Sequence, residues 1–223
     1  MKKSEISSAL ILAAGFGKRL RPITTTTPKC LVKVRGREML DRAIERIADN
    51  VSNIYINTHY LHDKVRAFIS KHPLNHKLHA EHEIDMLGTG GTVKKIAELY
   101  SIETLLVHNA DAYFSTNEFL SEFIEGYQDE DLYLALYPKA RLEFQEQGDF
   151  DVKDGNVILH KGGEYVYTGL AILNTKTFAK YDDAKFTFVD LIQGVESLKI
   201  GCYILPQSVT WLDIGTPEKL ASL

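Results

Sequence analysis

Cysteine is nearly missing: two occur in 223 residues, Cys30 and Cys202. That is too few for a disulfide framework or a thiolate zinc site and is typical of a reducing compartment. Both are expected to be core or near-core thiols without a redox role. Clustered positive charge is also missing. The formal net charge is −4 and the basic residues are scattered, which excludes the basic stripe that a nucleic-acid partner requires. No apolar run approaches the ~20 residues of a membrane span, so no membrane partner is expected. The opening "MKKSEISSALILAAG" imitates a secretory signal, with two lysines ahead of an apolar run. The imitation fails because Glu5 interrupts it and "GFGKRLRP" stands where a cleavage region would be. The expected location is cytoplasmic.

What is present is an ordinary globular balance, 44% hydrophobic and 25% charged, in a length that suits one α/β domain over residues 1–223. "SALILAA" (8–14) is a continuous apolar run closed by Gly15, the pattern of a strand buried on both faces. "EMLDRAIERIADN" (38–50) puts Met39, Leu40, Ala43, Ile44, Ile47 and Ala48 on one helical face. A strand at 53–60, a helix at 61–72, a strand at 77–83, a helix at 91–100 and a strand at 103–111 continue the alternation. This predicts a parallel sheet with right-handed crossovers. Past residue 131 the chain reads as strands, antiparallel in part, with a hairpin turn at Asp154-Gly155. A helix at 188–199 and strands within 200–206 and 209–215 follow, and Thr216 caps a last helix with Pro217 at its first position.

The loop after the first strand, "LAAGFGKRLRP" (12–22), fits neither familiar phosphate loop. A dinucleotide fingerprint needs a third glycine where Leu20 stands, and a P-loop needs Ser or Thr where Arg19 stands. What remains is a glycine loop carrying Lys18, Arg19 and Arg21, with Lys29 behind Pro28. Glycines let backbone N–H groups approach phosphate oxygens, and guanidinium groups bind phosphate through a bidentate fork. A polyphosphate is the natural guest; the bland alternative is a solvated loop with surface cations.

The longer string "LAAGFGKRLRP…TPKCLVKVRGREML" resembles the signature of the sugar-1-phosphate nucleotidylyltransferases, with Lys18 in place of a small residue and Cys30 in place of Pro or Ala. Four more segments match that family in order: "LGTGGTV" (87–93), "HNADAYF" (108–114, Ala110 replacing glycine), "YVYTGLAIL" (165–173) and "VTWLDIGTPEKL" (209–220). The resemblance implies a Rossmann-like nucleotidyltransferase fold, a mixed and mostly parallel central sheet flanked by helices. It implies a nucleoside triphosphate and a sugar 1-phosphate as partners, Mg²⁺ as cofactor, and a monomer or homodimer. Onto the nucleotide it carries Leu12, Ala13, Ala14, Gly15, Gly17, Glu83, Gly88, Thr89 and Gly90; onto the sugar phosphate, Asn109, Gly148, Asp149, Glu164, Thr168 and Gly169. Arg19 would hold the departing pyrophosphate, and Lys29 would sit between the α-phosphate and the sugar phosphate.

In the reaction so implied, nucleophile and leaving group are both phosphates, already ionised at neutral pH, so no strong general base is needed. The barrier lies in bringing anions together, which calls for cations and a metal. Asp111 and Asp213 are the expected Mg²⁺ ligands. Each ends an apolar strand, and parallel neighbours would bring both to the carboxyl edge of the sheet, where ligands bind. Lys161 is a weaker candidate for the sugar phosphate, its spacing to Thr168 being short.

Six of the eight histidines fall between residues 59 and 82, yet no H-E-x-x-H pattern exists and Pro73 separates His72 from His76. They are expected to be solvated surface residues, and "TTTT" (24–27) an irregular extended loop. Among members of the family, "GDFDVKDGNVI", "YVYTGLAILN" and "FTFVDLI" look most like enzymes that load uridylate onto N-acetylmuramate 1-phosphate in cell-wall recycling. "LGTGGTV" suits heptose- or mannose-1-phosphate guanylyl transfer equally. Glu83 and Asp85 stand where a base would be read, and a carboxylate can accept from guanine or from uracil. A non-catalytic nucleotide-sugar sensor would dispense with Lys29 and the aspartate pair, and the missing third glycine argues against a dinucleotide oxidoreductase.

Overall fold

The computed structural model describes residues 6–144, 147–195 and 197–223. The signal-like Lys2, Lys3 and Glu5 lie outside the described residues. The first strand, β1 (Ser8–Leu12), is central: it pairs in parallel with β4 (Asn53–Thr58) on one side and β6 (Thr104–Asn109) on the other. A short ribbon of β2 (Lys33–Val34) and β3 (Arg37–Glu38) precedes α1 (Met39–Ile47), and α2 (His62–Lys71) leads to β5 (Leu78–His82), parallel to β4. Helix α3 (Gly88–Tyr100) enters β6, which continues into β7 (Ala112–Phe114) and α4 (Leu120–Gly126).

The second half adds β8 (Leu132–Pro138), the hairpin β9 (Phe150–Lys153) and β10 (Asn156–Leu159), and the long β11 (Tyr165–Asn174). Asp154 and Gly155 turn the hairpin with φ 50° and 77°, the doubly positive turn that matches strand twist. Then come α5 (Thr175–Ala179), α6 (Phe188–Gly194), β12 (Ile200–Ile204), β13 (Trp211–Asp213) and α7 (Pro217–Ala221). The nine-stranded sheet runs β10-β9-β11-β6-β1-β4-β5, with β8 also on β11 and β12 beside β8. β11 is antiparallel to β6, β8 and β9, so a parallel core meets a mixed half, as expected.

Alternation along β1 divides the core. Ala9 and Ile11 face one side, with Leu40, Ile44 and Ile47 of α1 and Phe123 of α4; Leu10 faces the other, with Val93, Ile96, Phe178 and Leu191. Each such fully buried side chain contributes about 1.5–3 kcal/mol relative to exposure, and helices on both faces are what a parallel sheet needs.

Three boundaries differ from expectation. Helix α3 begins at Gly88 rather than residue 91, because its glycines take the 184–186 segment in direct contact: Gly90 and Gly91 N–H donate to Phe186 O at 3.0 and 3.1 Å. Helix α6 stops at Gly194, short of residue 199; Val195 is extended, and Lys199 N–H donates to Asp131 Oδ2 at 2.9 Å as the chain turns into β12. Residues 23–25 form a 3-10 turn rather than an extended loop, since buried Thr24 donates its hydroxyl to Gly17 O at 2.7 Å. None of the helices among the described residues is long and apolar enough to cross a membrane.

Candidate active site

The carboxyl ends of β6, β1, β4 and β5 open on one edge of the sheet, and there the first loop is pinned from several sides. Leu12 O accepts from Ala110 N at 3.0 Å, and Ala13 N donates to Asn57 Oδ1 at 2.7 Å. Gly17 sits at φ 62°, and a Cβ there would meet Thr24 Cγ2 at 2.9 Å and Lys29 Cβ at 3.0 Å, so glycine is required by both backbone and space. Leu20, in place of a fingerprint glycine, is fully buried and anchors the 18–20 turn in the core. Phe16 packs on His59 and Tyr60, ring centroids 5.3 and 5.5 Å apart, with Lys18 Nζ 5.4 Å from its own ring centroid. Lys18 and Arg21 are exposed.

A cleft of about 220 Å³ opens beside this loop, lined by Leu12, Ala14, Gly15, Glu83, Gly88, Thr89, Asn109 and Asp111. Asn57, Met86 and Thr92 complete its wall. The two polar members of that group, Asn57 and Thr92, were not foreseen. Glu83 is 3% exposed and accepts from Asn57 Nδ2 (2.9 Å), the Thr92 hydroxyl (2.6 Å) and Leu87 N (3.3 Å). Burial of a carboxylate is tolerable when donors surround it, and this one ties the ends of β4 and β5 to α3. Asp85, its companion in the sequence reading, is exposed. Gly90 lies against the Phe186 ring, where a Cβ would approach to 2.3 Å, rather than in the cleft.

The two aspartates meet, though not as parallel neighbours. Asp213 ends β13, which pairs antiparallel with β7 in a separate two-stranded ribbon, Asp213 opposite Ala112; Ile214 N donates to Asp111 O at 2.8 Å. The reason is that β6 runs into β7 through Asp111, so the returning chain docks on that extension instead of the main sheet. Lys29 forms an ion pair with Asp111, and Lys219 of α7 forms one with Asp213. Lys219, buried at 5% exposure, was missed; a lysine in a capped helix carries no local signal. Arg19 reaches the same place: a Cβ on Gly215 would touch Arg19 Nη2 at 2.5 Å and Asp213 Oδ2 at 3.0 Å. Neighbouring Cys30 is buried and its thiol is pushed up to about 12, chiefly by desolvation, so it is no nucleophile.

Of the residues expected at the sugar phosphate, Gly169 has φ 81° in the bulge where β11 shifts register against β8, and a Cβ there would meet Asn109 Cβ at 2.7 Å. Thr168 is turned inward: its hydroxyl donates to Ala135 O at 2.7 Å and its carbonyl accepts from Trp211 Nε1 at 2.9 Å. Asp149 Oδ2 accepts from Tyr167 N at 3.0 Å. Gly148 lies under the 160–163 turn, where a Cβ would meet Gly163 O at 1.8 Å; exposed Glu164 gives its N–H to Asp151 Oδ1 at 3.0 Å. These contacts tie Gly148 and Glu164 into the β9–β11 edge. Lys161 is exposed on the same turn.

The histidine run is more structured than a solvated surface. His72 Nε2 lies 2.8 Å from Asp41 Oδ1, His59 Nδ1 2.8 Å from Glu83 O, and the His62 and His82 rings stack at 4.1 Å; His76 is exposed. No group of three or more His, Cys, Asp or Glu side chains is placed to hold a metal among the described residues.

Comparison with known proteins agrees with this geometry. The chain is 29% identical to the N-acetylmuramate alpha-1-phosphate uridylyltransferase of Caulobacter vibrioides, over 96% of this chain and 94% of that protein. It is 26% identical to the D-glycero-alpha-D-manno-heptose 1-phosphate guanylyltransferase of Aneurinibacillus thermoaerophilus, over 94% of each. The crystal structure of HddC from Yersinia pseudotuberculosis complexed with GMP-PN superposes with a TM-score of 0.80 at 27% identity, covering 97% of both chains. Residues 9–166 match the model of the MobA-like NTP transferase domain. With the glycine loop, the cleft and the aspartate pair all set at one sheet edge and residues 9–166 matched, the chain belongs to the MobA-like NTP transferase family and is a nucleotidyltransferase.

Proposed function

We propose that the protein transfers uridylate from UTP to a sugar 1-phosphate, N-acetylmuramate 1-phosphate, forming the UDP-sugar and pyrophosphate in the cytoplasm as one catalytic domain. The observation that carries the reaction class is the convergence of Arg19, Lys29, Asp111, Asp213 and Lys219 beside a cleft floored by the glycine loop. The choice of base and sugar rests on the near full-length similarity to the Caulobacter uridylyltransferase and on the "GDFDVKDGNVI" and "YVYTGLAILN" segments.

A sugar phosphate oxygen attacks the α-phosphorus, the bond to the bridging oxygen breaks, and its electron pair leaves on pyrophosphate. Lys29 would neutralise the two phosphates as they approach, and Arg19 would take the charge that builds on the leaving group. Gly169 leaves Asn109 free to border the acceptor beside Asp111. The donor set fits Mg²⁺: two hard carboxylates with no third acidic or imidazole partner among the described residues, the remaining ligands being phosphate oxygens and water. Asp111 and Asp213 would hold it, and when bound it would supply charge stabilisation at the transferring phosphate.

A second reading, guanylyl transfer to a heptose 1-phosphate, is favoured by the 26% identical guanylyltransferase and the GMP-PN complex of HddC. Pyrophosphate release with each of four nucleoside triphosphates against a panel of sugar 1-phosphates decides. The expected maximum is UTP with N-acetylmuramate 1-phosphate; a maximum with GTP and a heptose 1-phosphate would replace the first reading by the second.

A further inference from the structure

Arginine is seldom buried, yet Arg46, in the last turn of α1, is 6% exposed. Desolvation comes first among the influences on its guanidinium and pushes it from 12.5 down to about 10. An apolar side chain would pack there without that penalty, so the groups it touches must account for its presence. Nη1 donates to Thr116 O at 2.8 Å and to Asn117 Oδ1, and Nη2 donates to Phe114 O at 3.3 Å. The guanidinium carbon also lies 4.5 Å from the Phe114 ring centroid. Each acceptor is neutral, and all lie at the end of β7 or directly after it.

The same stretch receives the returning chain on its other edge. In an extended chain, carbonyls two residues apart point to one side and the amide between them to the other. Accordingly Ser115 N donates to Thr210 O at 2.9 Å, and Thr210 N donates to Ser115 Oγ at 2.9 Å. This pairing extends the ladder in which Trp211 stands opposite Phe114 and Asp213 opposite Ala112. β7 and β13 have three residues each, and a two-stranded ribbon is marginal by itself. We infer that Arg46 is a positioning residue: its fork fixes the end of β7, so that β13 docks in the register that sets Asp213 beside Asp111. What that juxtaposition serves rests on the proposed metal role of the two aspartates. A slip of one residue would turn Asp213 to the other face of the ribbon. The planar guanidinium spans several fixed acceptors at once, which the single ammonium of a lysine does not.

Amide hydrogen exchange and acrylamide quenching of Trp211, the single tryptophan, read the ribbon directly. In the full chain, Arg46→Met is expected to lower protection of the Ser115 and Ile214 amides about tenfold relative to those of β1 and β4, and to raise quenching of Trp211. The Mg²⁺ concentration for half-maximal turnover should rise with them. Ile47→Val, which removes only apolar contact on the same helix, should leave that Mg²⁺ requirement as in wild type; an equal rise in both variants overturns the inference. Wild-type protection at both amides in folded Arg46→Met overturns it, and so does lost protection with a wild-type Mg²⁺ requirement. If Arg46→Met does not fold, Asn117→Ala removes one acceptor from an exposed position, and unchanged Ser115 protection in that variant overturns the inference instead. The metal reading fails separately: wild-type turnover by Asp213→Asn removes it, and in that event the two amides alone decide whether Arg46 holds the ribbon.

Discussion

Arg19 stands beside Gly215 and Asp213, and Lys29 is paired with Asp111, so in the proposed reading the two cations divide the work on the phosphates. Arg19→Ala should therefore lower kcat more than it raises KM for the sugar phosphate, because the charge it meets appears as pyrophosphate departs. A change confined to sugar-phosphate KM would move Arg19 to the acceptor side. Asp213→Asn should lower kcat by about a hundredfold or more and, because it takes the carboxylate charge from buried Lys219, also lower the thermal midpoint; near-normal turnover would remove Asp213 from the metal. A different residue contributes to the acid sensitivity of the fold. His108 is completely buried, gives Nδ1 to Asn109 O at 2.7 Å, and its Nε2 has no protein partner. Burial first, and the Arg46 charge second, push it from 6.5 down to about 3. Between those values the unfolded chain takes a proton that the folded chain refuses, so stability present above pH 6.5 is lost as pH falls towards 3. His108→Leu should flatten the urea midpoint across that window; an unaltered acid slope would assign the loss to other groups.

At the scale of elements, the glycines of α3 show how far local pattern reaches. The sequence pattern starts the helix only at residue 91, past Gly88 and Gly90 of "LGTGGTV", because glycines argue against helix, yet it starts at Gly88. The decisive contact is with a segment about a hundred residues later in the chain, at Phe186 and Ala184, which no local signal announces. Gly90→Ala should destabilise the fold by about 1–3 kcal/mol through overpacking. In a double-mutant cycle with Phe186→Ala the penalties should be less than additive; strict additivity in urea titrations would mean the two do not meet. The other elements were legible because apolar runs and helical faces report burial directly: β1, α1, β4 and α2 differ from expectation by only a residue or a few at their ends. The convergence of Asp111 and Asp213 was legible from their place at strand ends, but its route was not, since pairing through β7 and β13 depends on three-residue strands too short to show a period. Asn57 was invisible for a related reason: one polar residue inside a buried strand acquires meaning only when Ala13 and Glu83 arrive beside it.

For the whole molecule, the site lies where the parallel core meets the antiparallel half, between β1 and β6 on one side and the bulge of β11 on the other. A ligand seated there touches both and favours the folded chain over the unfolded one. A UTP analogue with Mg²⁺ at a hundred times its dissociation constant should add about 2.7 kcal/mol of stability, read as a rise in thermal midpoint. A midpoint indifferent to the analogue would argue against the cleft as its seat.

The β7–β13 ribbon also sets an order in time. During synthesis Asp111 leaves the ribosome with the parallel core, while Asp213 and Lys219 follow only after β8 to β12 have been made. A nascent chain that ends before residue 213 carries Asp111 and Lys29 but neither Asp213 nor Lys219, and in the proposed reading it would lack one of the two carboxylates of the metal seat. On that reading the competence of the centre is tied to the return of the chain through β13 beside β7, and a polypeptide stalled before residue 213 should be inert.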